Sequence, residues 1–217
     1  MRKVFLAGAT GFTGRAVLAR KADLEFVLAV RAGSARGDAF PGDSRVAVVD
    51  YADPASLDRA MAGCGSILST IGTTRARFRP GVSYETVDYG TTVVLLAAGK
   101  RAGVDHFVLM SSWGAGRPTG AYMRWKAKTE RAVIDSGTPY TIVRPSFLQG
   151  EGRPVPGPVN ALADLAGKIP GVGGLARDAR AIPIEVLAWN YVRILESRGP
   201  LGRVLTGRDL WREWEAR

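Results

Sequence analysis

A glycine-rich turn near the start of the chain constrains its fold more than any other feature. The apolar run Val4–Ala7 leads directly into Gly8-Ala9-Thr10-Gly11-Phe12-Thr13-Gly14. Glycine tolerates positive φ and lets a ligand approach the backbone, so this spacing predicts a tight turn from a strand into a helix. The N–H groups at such a helix start bind phosphate, which predicts a dinucleotide site. The predicted phosphate-binding residues are Gly8, Thr10, Gly11, Phe12, Thr13 and Gly14.

Apolar runs alternate with helix-length segments along the rest of the chain, which predicts parallel strands joined by crossover helices. We predict an α/β fold, a Rossmann-like doubly wound parallel sheet with a small C-terminal α/β appendage. The length of 217 residues suits a single domain over 1–217, with 150–217 forming a small substrate-side part. Strands are predicted at about 3–7, 25–30, 45–49, 66–71, 106–110, 140–143 and 203–206. Helices are predicted at about 14–21, 54–61, 84–102, 122–136, 159–168, 184–197 and 209–215.

Composition excludes several classes of protein. A single cysteine, Cys64, cannot form an internal disulfide framework and indicates no metal cluster. No apolar run is long enough to span a membrane, and the first residues do not resemble a signal peptide, so we expect a cytoplasmic location. The net charge of +10 comes from scattered arginines rather than a cluster. Without interleaved aromatics or a recognition motif, nucleic acid is disfavoured as a partner.

The end of the second predicted strand indicates which dinucleotide binds. An acidic residue there would bind the adenosine ribose and select NAD, but the strand ends in Ala29-Val30-Arg31. A guanidinium at Arg31 can bind a 2′-phosphate in a bidentate manner, so we predict NADP, with NAD less favoured. An exposed loop arginine is the alternative. Asp50 lies where it could bind the amino group of an adenine. With its neighbour Tyr51, it completes the predicted adenosine end.

Tyr122 and Lys126 lie one helical turn apart and predict catalysis of hydride transfer. A free phenol has a pKa near 10, and a nearby ammonium favours its ionised form. The lysine can also hold the nicotinamide ribose. Ser111 and Ser112 both follow the fifth strand, and we favour Ser112 as the residue that orients the substrate oxygen. The predicted catalytic set is therefore Ser112, Tyr122 and Lys126; the alternative is a packing tyrosine and a solvated lysine.

These residues resemble the short-chain dehydrogenase/reductase superfamily, and more narrowly its atypical, NmrA-like members in the branch of the Tat-interacting-protein oxidoreductase. The likeness is carried by 8–15, 69–75, 87–89, 106–115, 122–126, 143–145 and 182–188. It implies NADP(H) binding and the catalytic set named above. It also implies that Thr70, Ile71, Gly72 and Thr73 line the cofactor near its ribose and nicotinamide, and that Pro145, Ser146 and Phe147 pass the nicotinamide. The ten-residue spacing from Ser112 to Tyr122 departs from the superfamily pattern.

Two functions follow as hypotheses. The first is an NADP-dependent oxidoreductase acting on a small carbonyl or alcohol, and the second is a nonenzymatic NADP(H)-binding redox sensor that acts through a protein partner. A pocket too closed for a substrate would favour the sensor. The basic run 73–80, with Arg75, Arg77 and Arg79, is expected beside the cofactor, where it could meet a substrate acid, meet a partner or remain solvated. The oligomeric state is left open.

Overall fold

The computed structural model describes residues 1–20, 23–34, 40, 44–152, 176 and 178–217. The strands are β1 Arg2–Ala7, β2 Leu24–Val30, β3 Arg45–Val48, β4 Ser66–Ser69, β5 His106–Met110, β6 Tyr140–Arg144, β7 Leu148–Gln149, β8 Ile182–Pro183 and β9 Arg203–Thr206. The α-helices are α1 Phe12–Leu18, α2 Pro54–Met61, α3 Thr91–Arg101, α4 Gly120–Asp135, α5 Ile184–Ser197 and α6 Gly207–Glu215. The helix predicted at 159–168 lies outside the described residues.

Within the described residues, seven strands form one parallel sheet in the order β3-β2-β1-β4-β5-β6-β9. The order reverses between β1 and β4, which is the topological switch point at which Rossmann-like sheets bind dinucleotides. The predicted fold class is confirmed. The C-terminal strand β9 pairs with β6, so the C-terminal part extends the main sheet. A separate two-stranded pairing of β7 with β8 was not predicted, because two-residue strands have no detectable period.

The central strands of the sheet are buried on both faces, to which alternate side chains of each strand point, whereas the edge strand β3 is largely exposed. In β1, Val4 and Leu6 belong to a core cluster with α1, α5 and α6, whereas Phe5 and Ala7 belong to a cluster with α2, α3 and α4. These four side chains are fully buried. The two helical layers leave the carboxyl ends of the strands free to form a site.

The segment predicted as one helix over 84–102 is two elements. Tyr84–Gly90 is a π-helix that begins in a capping box of Ser83 and Thr86, and α3 follows it directly. A π-helix has a wider turn than an α-helix and is frequent at functional sites. Its buried residue is Asp88, which is 2% exposed. The helix predicted over 84–102 is therefore present, but its first seven residues have π rather than α geometry.

Candidate active site

Two adjoining cavities follow the carboxyl ends of the parallel strands. The first, of about 520 Å³, is lined by residues that follow β1, β4, β5 and β6 and by residues of α4. The second, of about 780 Å³, is lined by residues that follow β1, β2, β3 and β4. The residues that border both cavities are Gly11, Thr70, Gly72, Thr73 and Arg77. The two cavities therefore form one cleft across the switch point.

Nearly every residue predicted from the sequence to lie in the site borders this cleft. The first cavity contains the predicted catalytic set and the predicted nicotinamide segment, and the second contains the predicted adenosine end. Gly14 is the exception, because it borders neither cavity. The cleft-lining residues among those predicted are Gly8, Thr10, Gly11, Phe12, Thr13, Arg31, Asp50, Tyr51, Thr70, Ile71, Gly72, Thr73, Ser112, Tyr122, Lys126, Pro145, Ser146 and Phe147.

The three glycines of the loop are required for different reasons. Gly8 has φ of +97°, and an added Cβ would lie 2.5 Å from Thr70 Oγ1. A Cβ at Gly14 would lie 2.3 Å from the Gly8 carbonyl oxygen. Gly11 has an ordinary φ of −77°, and its Cβ would meet only the Gly8 carbonyl oxygen, at 3.1 Å. Gly8 and Gly14 thus serve the packing of the loop, whereas Gly11 leaves bare backbone toward the cleft.

Lys126 is held by a carboxylate that the sequence analysis did not assign to the site. Its Nζ lies 2.8 Å from Asp88 Oδ1, and both side chains are buried. Asp88 Oδ2 accepts a hydrogen bond of 3.0 Å from the Thr73 N–H, which belongs to the wall of the cleft. A Cβ at Gly72 would lie 3.3 Å from Asp88 Oδ1 and 3.4 Å from Lys126 Nζ, so the bare glycine leaves room for this pair. Lys126 is not a solvated helix lysine.

Tyr122 lies on the same face of α4, at the wall of the first cavity. Its ring centroid is 5.1 Å from that of Tyr84, which in turn contacts Phe78 at 4.7 Å. Lys126 Nζ lies 5.8 Å from the Tyr122 ring centroid. The π-helix and the loop before it therefore fix the position of the Tyr122 ring.

The two serines after β5 have different surroundings. The Ser111 hydroxyl donates a 2.5 Å hydrogen bond to Glu130 Oε1, and Arg144 makes two further bonds to the same carboxylate, of 2.9 and 2.5 Å. The hydrogen bond to Glu130 raises the pKa of Arg144. The Ser112 hydroxyl, which makes no hydrogen bond within the described part of the chain, borders the first cavity. Ser111 is thus committed to a structural network, while Ser112 is free to contact a ligand.

Arg31, directly after β2, borders the second cavity, where the sequence predicts the adenosine end. Asp50 borders it too, but its Oδ1 accepts a 2.9 Å hydrogen bond from the Ala52 N–H and shapes the turn after β3. Tyr51 is half-buried, and burial raises its pKa to about 12, opposed by the charge of Arg31. The neighbouring Asp53 caps α2 through the Ala55 N–H, as its position before Pro54 predicts.

Two kinds of site are not found within the described residues. No group of three or more His, Cys, Asp or Glu side chains is arranged to hold a metal ion. None of the helices in this part of the chain has the length and apolar character needed to cross a membrane.

Comparison with known proteins decides the family. Residues 8–167 match a family model described as NAD(P)H-binding. The chain belongs to this NAD(P)H-binding family. Like its FMP52 relatives, this member of the family is an atypical short-chain dehydrogenase/reductase. It is 32% identical to mitochondrial fmp52 of Aspergillus clavatus, with 98% of each chain covered. Mitochondrial FMP52 of Lodderomyces elongisporus is 38% identical over 104 residues, which span 47% of this chain and 44% of that protein.

Solved structures share the fold of this NAD(P)H-binding protein. A proposed NAD-dependent epimerase/dehydratase from Bacillus halodurans has a TM-score of 0.72 and 17% identity, covering 98% of this chain and all of the other. The NADPH-dependent quinone oxidoreductase of Escherichia coli, solved with NADPH, has a TM-score of 0.62 and 20% identity, covering 94% and 68%. At these identities the likeness shows the fold.

The expected cytoplasmic location is wrong. Relatives from L. elongisporus, A. clavatus, Debaryomyces hansenii and Candida albicans are all named as mitochondrial proteins, which contradicts the expected cytoplasmic address. Composition cannot distinguish a cytoplasmic from a mitochondrial protein here, because a Rossmann-like domain with one buried cysteine is compatible with either compartment.

Proposed function

We propose that this protein is an NADP(H)-dependent oxidoreductase that transfers hydride to or from a small carbonyl or alcohol. The observation that carries the proposal is the meeting of Ser112, Tyr122 and Lys126 in one cavity of about 520 Å³. The cavity adjoins the glycine loop, and Lys126 is buried there with a defined partner in Asp88. We further propose that the chain belongs to the NmrA-like branch of the atypical short-chain dehydrogenases. It would form a single domain, in which residues 150–217 make up the substrate side.

The residues of the cleft fit a nicotinamide dinucleotide. The bare backbone at Gly11 admits close approach of the pyrophosphate. Lys126 would hold the nicotinamide ribose, and Pro145, Ser146 and Phe147 would line the nicotinamide. When bound, the cofactor supplies or accepts the hydride.

Arg31 at the adenosine end supports NADP over NAD. Asp50 is the single acidic residue among the described residues that border the second cavity, and it follows β3 rather than β2. We expect NADPH to bind at least about tenfold more tightly than NADH. Arg31→Ala should weaken NADPH selectively in a calorimetric titration, and equal affinities of the wild-type protein for both cofactors would contradict the assignment.

The side chains divide the work of carbonyl reduction between them. The free Ser112 hydroxyl donates a hydrogen bond that orients the substrate oxygen. Tyr122 donates its phenolic proton to that oxygen as the carbon is reduced, and takes the proton back when an alcohol is oxidised. Lys126, fixed by Asp88, places a positive charge beside this proton transfer.

Tyr122→Phe tests this assignment, because it removes one hydroxyl and keeps the ring that packs on Tyr84. NADPH affinity should be unchanged, while reduction of a panel of carbonyl compounds should fall by about a hundredfold or more. Equal turnover by Tyr122→Phe and the wild type would refute the role of Tyr122. Tight NADPH binding with no turnover of any carbonyl or alcohol would instead favour the redox sensor with a protein partner.

A further inference from the structure

Arg77 lies at the junction of the two cavities. Of the five residues in the described part of the chain that border both, it is the one that carries a charge. Its side chain makes no hydrogen bond, ion pair or ring contact with any residue of the described ranges. An unpaired guanidinium on the wall of a cleft indicates an anionic ligand, because arginine matches the geometry of phosphate and carboxylate oxygens.

The neighbouring polar groups at the junction are already committed within the protein. The Thr70 hydroxyl donates to the carbonyl oxygens of Ala7 and Gly8, at 3.2 and 3.3 Å. The Thr73 N–H donates to Asp88. Across the described chain, no carboxylate borders the first cavity, and Asp50 alone borders the second. The junction therefore offers an anion the free donors of Arg77 without a competing negative charge.

We propose that Arg77 binds the pyrophosphate of the dinucleotide. This inference rests on the proposed function, because it takes an NADP(H)-type ligand as given. In a dinucleotide the pyrophosphate joins the two nucleosides, so it must lie where the two nucleoside halves of the cleft meet. Gly11 of the glycine loop borders that same junction. Arg31 and Arg77 then bind different anions, the 2′-phosphate and the pyrophosphate.

Calorimetric titration of the full chain with three ligands separates these roles. NADPH carries both anions, whereas NADH and ADP-ribose carry the pyrophosphate without a 2′-phosphate. Arg77→Gln should lower the affinity for all three ligands by the same factor, about tenfold, because a hydrogen-bonded charge pair is lost in each complex. Arg31→Gln should weaken NADPH alone.

Arg75→Gln is the matched control. Arg75 lies on the same 3₁₀ turn, Arg75–Arg77, is also exposed, and borders neither cavity, so its loss should leave all three affinities unchanged. Since Arg77 has no partner in the described part of the protein, Arg77→Gln should fold normally, as circular dichroism can verify.

Other outcomes overturn the assignment in distinguishable ways. Unchanged affinities in Arg77→Gln, with tight binding by the wild type, would overturn the role of Arg77 alone and leave a substrate anion as its ligand. A loss confined to NADPH would assign Arg77 to the 2′-phosphate instead. A wild-type protein that binds none of the three ligands would overturn the proposed function together with this inference.

Discussion

At the scale of single residues, the glycine loop shows how one motif serves both folding and ligand binding. A side chain at Gly14 would collide with the backbone of its own loop, and Gly14 borders neither cavity. Gly11 has an extended N-cap conformation that other residues adopt freely, and it borders both cavities. The need for glycine at position 14 is therefore steric and internal, whereas at position 11 it arises from the proposed ligand.

Alanine substitutions separate these two requirements. Gly14→Ala should lower the free energy of unfolding by about 3 kcal/mol or prevent folding, because overpacking against rigid backbone is costly. Gly11→Ala should change that free energy by no more than about 1 kcal/mol, the usual scale at an N-cap. Gly11→Ala should nevertheless lower the affinity for NADPH by about tenfold or more, because the added methyl group would contact the pyrophosphate. Urea unfolding and calorimetry measure the two quantities.

The result that would contradict this division is a folded Gly11→Ala variant that binds NADPH as tightly as the wild type. The phosphates would then lie elsewhere in the cleft. A stable Gly14→Ala variant would show that the loop can relax around a Cβ placed 2.3 Å from the Gly8 carbonyl oxygen.

At the scale of elements, one face of α4 organises the site. Tyr122, Lys126 and Glu130 follow one another at intervals of four residues, so they lie on one stripe of the helix. The first contacts the π-helix through Tyr84, the second contacts it through Asp88, and the third contacts the ends of β5 and β6 through Ser111 and Arg144. Glu130 thereby fixes the position of α4 against the strands that lead to Ser112 and Pro145.

Glu130→Gln tests this link. It should lower the free energy of unfolding by about 2 kcal/mol, because removing the buried carboxylate leaves the half-buried Arg144 guanidinium without its partner charge. The matched control is Asp135→Asn on the same helix, where the carboxylate makes an exposed pair with Arg131. That change should stay within about 0.5 kcal/mol. Equal small losses in the two variants, measured by urea unfolding, would show that the Glu130 network does not anchor the helix.

The sequence predicted the elements of the sheet better than the contacts between them. The apolar runs of β1, β2 and β5 and the glycine turn each carry a local signal, and the parallel order follows from their alternation with helices. The ion pairs of Asp88 with Lys126 and of Glu130 with Arg144 join residues far apart in sequence, 38 and 14 positions respectively. The periodic spacing of apolar residues along the sequence carries no information about such long-range pairs. From the sequence, Asp88 could be recognised only as an acidic residue in a helix-forming segment. That its side chain points inward depends on the π-helix, which the sequence did not predict.

At the scale of the whole molecule, His106 joins three parts of the sheet. It begins β5, and its Nε2 lies 2.9 Å from Thr141 Oγ1 in β6. Thr141 in turn donates to the Pro200 carbonyl oxygen before β9, at 2.7 Å, so the imidazole must be the donor in the first bond. The ring is fully buried, and its Nδ1 has no partner in the described structure. The chain of bonds requires a proton on Nε2, and full burial with a partnerless Nδ1 disfavours a second proton, so the imidazole is neutral.

Stability should consequently fall as the pH is lowered through the range in which this histidine titrates. Burial, helped by the charges of Arg2 and Arg198 and opposed by Asp105, lowers the pKa of His106 to about 4. Its value in the unfolded chain is near 6.5, so below that pH the unfolded state binds a proton that the folded state does not. The contribution is complete above pH 6.5 and is lost down to pH 4, at up to about 1.4 kcal/mol per pH unit. Because His106 is the only histidine in the chain, His106→Gln isolates this effect.

Glutamine can still donate to Thr141 but does not titrate, so the difference in unfolding free energy between wild type and His106→Gln should shift by about 3 kcal/mol between pH 7 and pH 4. Urea unfolding at several pH values measures it. The same pH dependence in both proteins would mean that folding does not lower the pKa of His106, and that the buried site does not hold the imidazole in its neutral form.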